Sequence, residues 1–167
     1  MKGSDNVVAY ADSWNEAYDE PGEQISEAAA RRRHEAGESY AALVKDGERR
    51  IAVASDLGHG VVTVFFLDPK SRWTTKYVFT ERDGGGLWLQ QAHTREWLDD
   101  RRYRFESTTI REDGRMYAER GVYGDREKEV AEQRLDPATL TFLDEPVPEF
   151  GDYRSITRFE REAAPQA

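Results

Sequence analysis

Val61-Val62-Thr63-Val64-Phe65-Phe66-Leu67 is apolar or small at every position, and its β-branched and aromatic residues favour an extended chain. A strand that is apolar on both sides has to be covered on both sides. On its N-terminal side, Gly58-His59-Gly60 separates it from residues 49–55, and Asp46-Gly47 separates those from residues 40–45. On its C-terminal side, Asp68-Pro69-Lys70-Ser71 leads into residues 72–80, and Asp83-Gly84-Gly85-Gly86 leads into residues 87–97. Asp99-Asp100, Asp113-Gly114 and Gly124-Asp125 then introduce residues 101–110, 115–123 and 126–135. Turn signals at intervals of about 8 to 12 residues are the cadence of an antiparallel meander. Links this short join only antiparallel neighbours, so the chain is expected to form about eight sequential strands.

The two halves of that meander differ in composition. Residues 51–55, 61–67 and 73–79 present at least one apolar face, whereas Gln90-Gln91-Ala92-His93-Thr94-Arg95-Glu96, Glu106-Ser107-Thr108-Thr109 and Glu127-Lys128-Glu129 are polar on both. An unpaired polar group in a dry core costs about 1 to 3 kcal/mol, so the later strands need water or polar partners on their faces. The expected architecture is a curved antiparallel meander sheet or incomplete β-barrel, sealed early and open late.

Ahead of the meander, residues 4–20 place Val7, Tyr10, Ala11, Trp14, Ala17 and Tyr18 at three- and four-residue intervals, which predicts an amphipathic helix with Ser4 as its N-cap. Pro21-Gly22 ends it. Residues 23–36 predict a second helix with a thin apolar face, acidic at its start, basic at its end and stopped by Gly37. The fold class is therefore α+β and mostly β, with N-terminal helices packed on the sheet. One domain spans residues 1–167, divided into a helical part at 1–37, a meander at 38–160 and a frayed tail at 161–167.

With 167 residues, of which 38% are hydrophobic and 34% charged, the chain has enough apolar surface for one core. Its net charge of -9 argues against general binding to nucleic acid or to anionic membranes, which requires a positive field. The absence of cysteine removes disulfides, thiolate metal sites and thiol nucleophiles. No apolar run reaches the roughly 20 residues of a membrane helix, and a cytoplasmic location is expected.

The tail carries the most distinctive string, Glu145-Pro146-Val147-Pro148-Glu149-Phe150-Gly151-Asp152-Tyr153, in which Phe150 and Tyr153 are expected to clamp the chain over the sheet. Residues 155–159 predict a last short strand. With residues 64–68 before it and 155–159 after, this string resembles an uncharacterised family of small β-meander proteins from high-GC bacteria. The 19 Arg against 5 Lys agree with such a genome. The resemblance implies the fold and carries no activity.

Strand alternation places Leu87, Leu89, Gln91, His93, Arg95 and Trp97 on one side. His93 would there be an acid or base near neutrality, or simply a hydrogen-bonded strand histidine. Trp88, Gln91, His93, Arg95, Trp97, Tyr103 and Glu106 form the candidate ligand or partner surface. Arg102 and Arg104 are expected to pair with glutamates on neighbouring strands. The three histidines lie far apart without metal-ligand spacing, so neither a metal nor a cofactor is expected. Acidity without a catalytic constellation suggests a non-catalytic protein that engages a basic macromolecular partner as an immunity protein does, acting as monomer or homodimer. The alternative is a small-molecule-binding protein or enzyme of specialised metabolism with a polar pocket in an open barrel.

Overall fold

A computed structural model describes residues 7–161. Its strands are β1 (Val7–Ala11), β2 (Trp14–Asn15), β3 (Glu20–Pro21), β4 (Gln24–Ile25), β5 (Tyr40–Asp46), β6 (Arg49–Asp56) and β7 (Val61–Leu67). They continue with β8 (Trp73–Glu81), β9 (Leu87–Trp97), β10 (Tyr103–Ile110), β11 (Arg115–Val122), β12 (Lys128–Arg134) and β13 (Asp144–Glu145). One helix, α1, spans Glu27–Ala36. Strands β5 to β12 pair in sequence order and antiparallel, as the turn cadence predicts; β1 and then β4 extend the sheet beyond β5. The sheet is open, with β4 and β12 as its edges.

The doubly apolar strand explains the architecture. On one side of β7, Val62, Val64 and Phe66 join a core with Ile51, Val53 and Phe79, covered by α1 and the C-terminal tail through Ala30, Leu140, Leu143, Tyr153 and Ile156. We call this the tail face. On the other side, Phe65 packs with Ala52 and Trp73 under Trp14, which arrives on the short β2–β3 hairpin. This is the hairpin face. Burying the large side chains of both clusters is the main favourable contribution to folding, at about 1.5 to 3 kcal/mol per fully buried residue.

Residues 7–20 are not helical, a correction to the reading of residues 4–20; Ser4, the expected N-cap, lies outside the described residues. Val7–Ala11 is a strand antiparallel to β5, with Tyr10 opposite Ala42 and Ala11 opposite Ala41. The spacing that a helix would place on one side serves two faces. Tyr10 stacks on Phe150 at 5.3 Å on the tail face, and Trp14 meets Phe65 at 5.7 Å on the hairpin face. Without β1, the backbone groups of β5 would form an open edge next to the core. Gly22 closes the hairpin because a Cβ there would lie 2.2 Å from Asp12 Oδ1 and from Ser13 Oγ.

The second helix starts later than the expected residue 23, because Gln24–Ile25 pair with β1; it is capped by Ser26, whose side chain accepts from Ala29 N–H at 3.1 Å, and ends at Gly37 with φ 71°. Ala30 is its one buried residue, in keeping with its thin apolar face. His34 in its last turn pairs through Nδ1 with the Tyr40 hydroxyl at 3.0 Å, and that hydroxyl pairs with Tyr153 OH at 2.9 Å. Burial raises the pKa of both tyrosines. This chain of hydroxyls fastens helix, sheet and tail together.

Residues 155–157 lie in a turn, and none of residues 155–159 forms the expected strand. Their backbone groups find partners without a ladder: Thr157 N–H donates to Tyr153 O at 3.0 Å, and Arg161 Nη2 donates to Ser155 O at 2.9 Å and to Ile156 O at 3.1 Å. The tail instead pairs through β13, with Glu145 opposite Leu87. The buried Glu145 carboxylate accepts from Arg158 and Arg161. Arg161 is thus anchored and not frayed, and residues 162–167 lie outside the described residues.

Candidate functional site

Two irregularities in strand pairing decide which side chains meet. Between β7 and β8, Phe66 pairs with Thr75 and Leu67 with Trp73, so Thr74 is the extra residue and Trp73 turns to the hairpin face. Between β8 and β9, Phe79 pairs with Leu89 and Val78 with Gln91, leaving Gln90 as a second bulge. Leu87 and Leu89 therefore enter the tail-face core, while Gln91, His93, Arg95 and Trp97 lie on the hairpin face. The expectation of a common side for all six residues is corrected here: one inserted residue reverses every side chain beyond it.

Beyond that bulge the hairpin face carries a cavity of about 250 Å³ lined by Trp73, Lys76, His93, Arg95, Tyr103 and Tyr123 among others. Arg95 is its centre. The guanidinium carbon lies 3.5 Å from the Trp73 ring centre and 4.4 Å from that of Tyr103, with Trp97 at 6.0 Å. Tyr103 stacks on Tyr123 at 4.9 Å and meets Trp97 edge-on at 4.9 Å. Arg72 covers the Trp97 ring at 4.5 Å and is itself held by Asp68 at 2.9 Å. Such ring–cation contacts contribute about 0.5 to 2 kcal/mol each, increasing as water is excluded. Burial lowers the Arg95 pKa and raises that of Tyr103. Arg95 makes no hydrogen bond to another described residue.

The hairpin supplies the counter-charges. Glu16 Oε1 accepts from Lys76 Nζ at 2.6 Å, and Asp19 Oδ2 accepts from Trp73 N–H at 3.3 Å. Asp19 has φ 53°, and its Oδ1 is buried without a partner. Burial pushes its pKa up, against the pull of the Trp73 N–H and of Arg95. His93 Nε2–H donates to Gln91 Oε1 at 3.1 Å. Burial, and secondarily Lys76, lowers the His93 pKa to about 4, so the ring is neutral at neutral pH. Ser107 lies opposite His93 in register, yet the histidine's hydrogen bond goes to Gln91.

Five of the seven sequence-predicted residues thus gather: Gln91, His93, Arg95, Trp97 and Tyr103. Trp88 does not join them. It is 2% exposed in the main core, with Arg82 over its ring at 5.2 Å. Glu106 is in register with Thr94 and Arg120 on the tail face, although it contributes to the lining of cavities on both sides. Sequence reasoning missed Trp73, Lys76, Tyr123 and the hairpin carboxylates. Trp73 was legible only as a strand residue, because its position depends on the Thr74 bulge.

The opposite side of β9 to β12 is a second, shallow depression of about 760 Å³. Glu96, Glu106, Asp125, Glu127 and Glu129 line it, against the cations Arg104, Arg120 and Lys128. All eight are exposed. Arg104 reaches Glu96 at 3.5 Å, Lys128 reaches Glu119 at 3.0 Å, and Arg120 pairs with Glu129, so cross-strand pairing absorbs the cations. Among the described residues, no group of three His, Asp or Glu could hold a metal ion, and no helix is long and apolar enough to cross a membrane. Compared with protein-family models, with curated proteins and with solved structures, the chain matches none.

Proposed function

We propose that the protein is a non-catalytic binding protein whose tail face across β9 to β12 engages a basic macromolecular partner, in the manner of an immunity protein. The observation that carries this reading is the exposed depression in which five carboxylates outnumber three cations that already have partners. Such a surface steers a basic partner and gives binding a marked salt dependence. The histidines support a non-catalytic role: His93 is neutral and tied to Gln91, His59 pairs with Asp56 in an exposed turn, and His34 is built into the tyrosine chain. The test is capture from the native host by the wild type and by a Glu96→Gln, Glu106→Gln, Glu127→Gln, Glu129→Gln variant. A basic protein held at about 0.05 M salt, released at about 0.5 M and missed by the variant supports the reading. Equal retention by both baits, or none by either, overturns it.

A specific observation favours a second reading, a small-molecule-binding protein or enzyme using the Arg95 cavity. A guanidinium fixed between two rings with unfilled donors suits a carboxylate or phosphate. Thermal stabilisation by inorganic phosphate or benzoate that disappears in Arg95→Met would favour it over the first.

A further inference from the structure

The two edges of the large sheet are unequal. At one end β4 contributes two residues; at the other β12 runs for seven, every one exposed. Two backbone bonds fix which groups of β12 point outward. Tyr123 N–H donates to Tyr103 O at 2.9 Å, and Leu135 N–H donates to Gly114 O at 2.8 Å. Combined with the registers Arg104↔Val122 and Arg115↔Arg134, they turn residues 129, 131 and 133 toward β11. Lys128, Val130, Glu132 and Arg134 therefore direct their amides and carbonyls away from the sheet. No described residue pairs with that row. An edge of this kind is a template for another strand, and Val130 sits in the middle of it, 60% exposed.

We propose that a second copy of this chain occupies the edge, β12 against β12, antiparallel about a two-fold axis at Val130. Symmetry leaves few registers, since a two-fold axis through such a pair sets one residue opposite itself. An axis at Ala131 would oppose Lys128 to Arg134 twice. An axis at Glu132 would bring two carboxylates together on it. With the axis at Val130, valine meets valine, Lys128 faces Glu132 of the second copy twice, and Glu129 faces Ala131; Arg134 falls opposite Arg126, which lies in the bend before β12, so no two like charges of β12 itself oppose each other. Opposite charges across a strand pair stabilise it and like charges destabilise it, so this register is selected over its neighbours. This self-complementarity argues for a second copy over a foreign strand. The axis stands perpendicular to the sheet, so both tail faces lie on the same side and their carboxylates form one continuous surface.

Sedimentation equilibrium of the full chain tests the pairing. An interface of one strand per copy is small, so dimer is expected to accumulate between about 1 and 500 µM. Lys128→Glu and Glu132→Lys should each weaken dimerisation about tenfold or more, and the double swap should return to within about threefold of wild type. All Lys128→Glu proteins lose the Glu119 contact, so recovery in the double swap reports the contact between copies. Val130→Pro removes an outward donor without touching the ladder to β11 and should give a monomer with unchanged far-ultraviolet dichroism. A wild type that stays monomeric throughout, or a double swap as weak as either single, overturns the proposal. Capture of a basic partner is read with the wild type and the four-glutamate variant, so failure of the pairing and failure of that reading are distinguished.

Discussion

Strands β7 and β12 have the same length, yet β7 is covered on both faces and β12 on neither. In β7, Val62 and Val64 are 0% exposed and Phe65 is 2% exposed, because helix, tail and hairpin converge from both sides. In β12, β11 is the sole neighbour, and the ion pairs to Glu119 and Arg120 are solvent-exposed. Cross-strand charge pairing and turn chemistry are enough to extend a sheet past its core, once the core has fixed the first strands.

The largest test of this contrast is amide exchange. In dilute solution the amides of β7 should open only with global unfolding, and those of Val130 and Glu132 should exchange nearly unprotected, a difference of about 5 kcal/mol or more. Equal protection would mean the outer strands share the core's stability. Next, Phe79→Ala, at a fully buried site, should cost about 3 to 5 kcal/mol in urea unfolding, while Gln133→Ala should stay within about 0.5 kcal/mol. Between these extremes lies Arg95→Ala. Removing the cation that joins Trp73 to Tyr103 should cost about 1 to 2 kcal/mol and speed exchange in β10. A smaller change would make the stack incidental.

The last test concerns pH. His93 titrates near 4 in the folded chain and near the ordinary 6.5 when unfolded, so the unfolded chain binds more protons between those values. Its contribution is complete above about pH 6.5 and declines as pH falls toward 4. Wild type should therefore lose more stability than His93→Gln between about pH 7 and pH 4.5. His34, whose pKa burial also lowers, is common to both proteins and cancels in the difference. Parallel profiles would mean that His93 is solvated.

The cadence of turns at Asp46-Gly47, Asp113-Gly114 and Gly124-Asp125, and the stop of the helix at Gly37, were legible because capping and turn formation depend on residues a few positions apart; the start of that helix, read at residue 23, lies at Ser26 because Gln24–Ile25 pair with β1 instead. The amphipathic spacing of residues 7–18 misled because side chains at helical intervals also suit a strand and a hairpin that serve opposite faces. The polarity of residues 90–96 correctly placed them at the wet end of the sheet. Their facing was beyond the sequence, because Gln90 is a bulge only by virtue of how β8 pairs.

The amino-acid order by itself determined strands β5 to β12, their antiparallel succession and the division into a sealed and a more exposed half, since alternation, turn residues and charge act locally. Tertiary structure alone decided that β1 would cover β5, that Thr74 and Gln90 would be the bulged positions, and that Arg95 would be held between Trp73 and Tyr103. Those outcomes depend on contacts between residues far apart in the chain, and a strand's period of two makes each of them reverse with a single inserted residue.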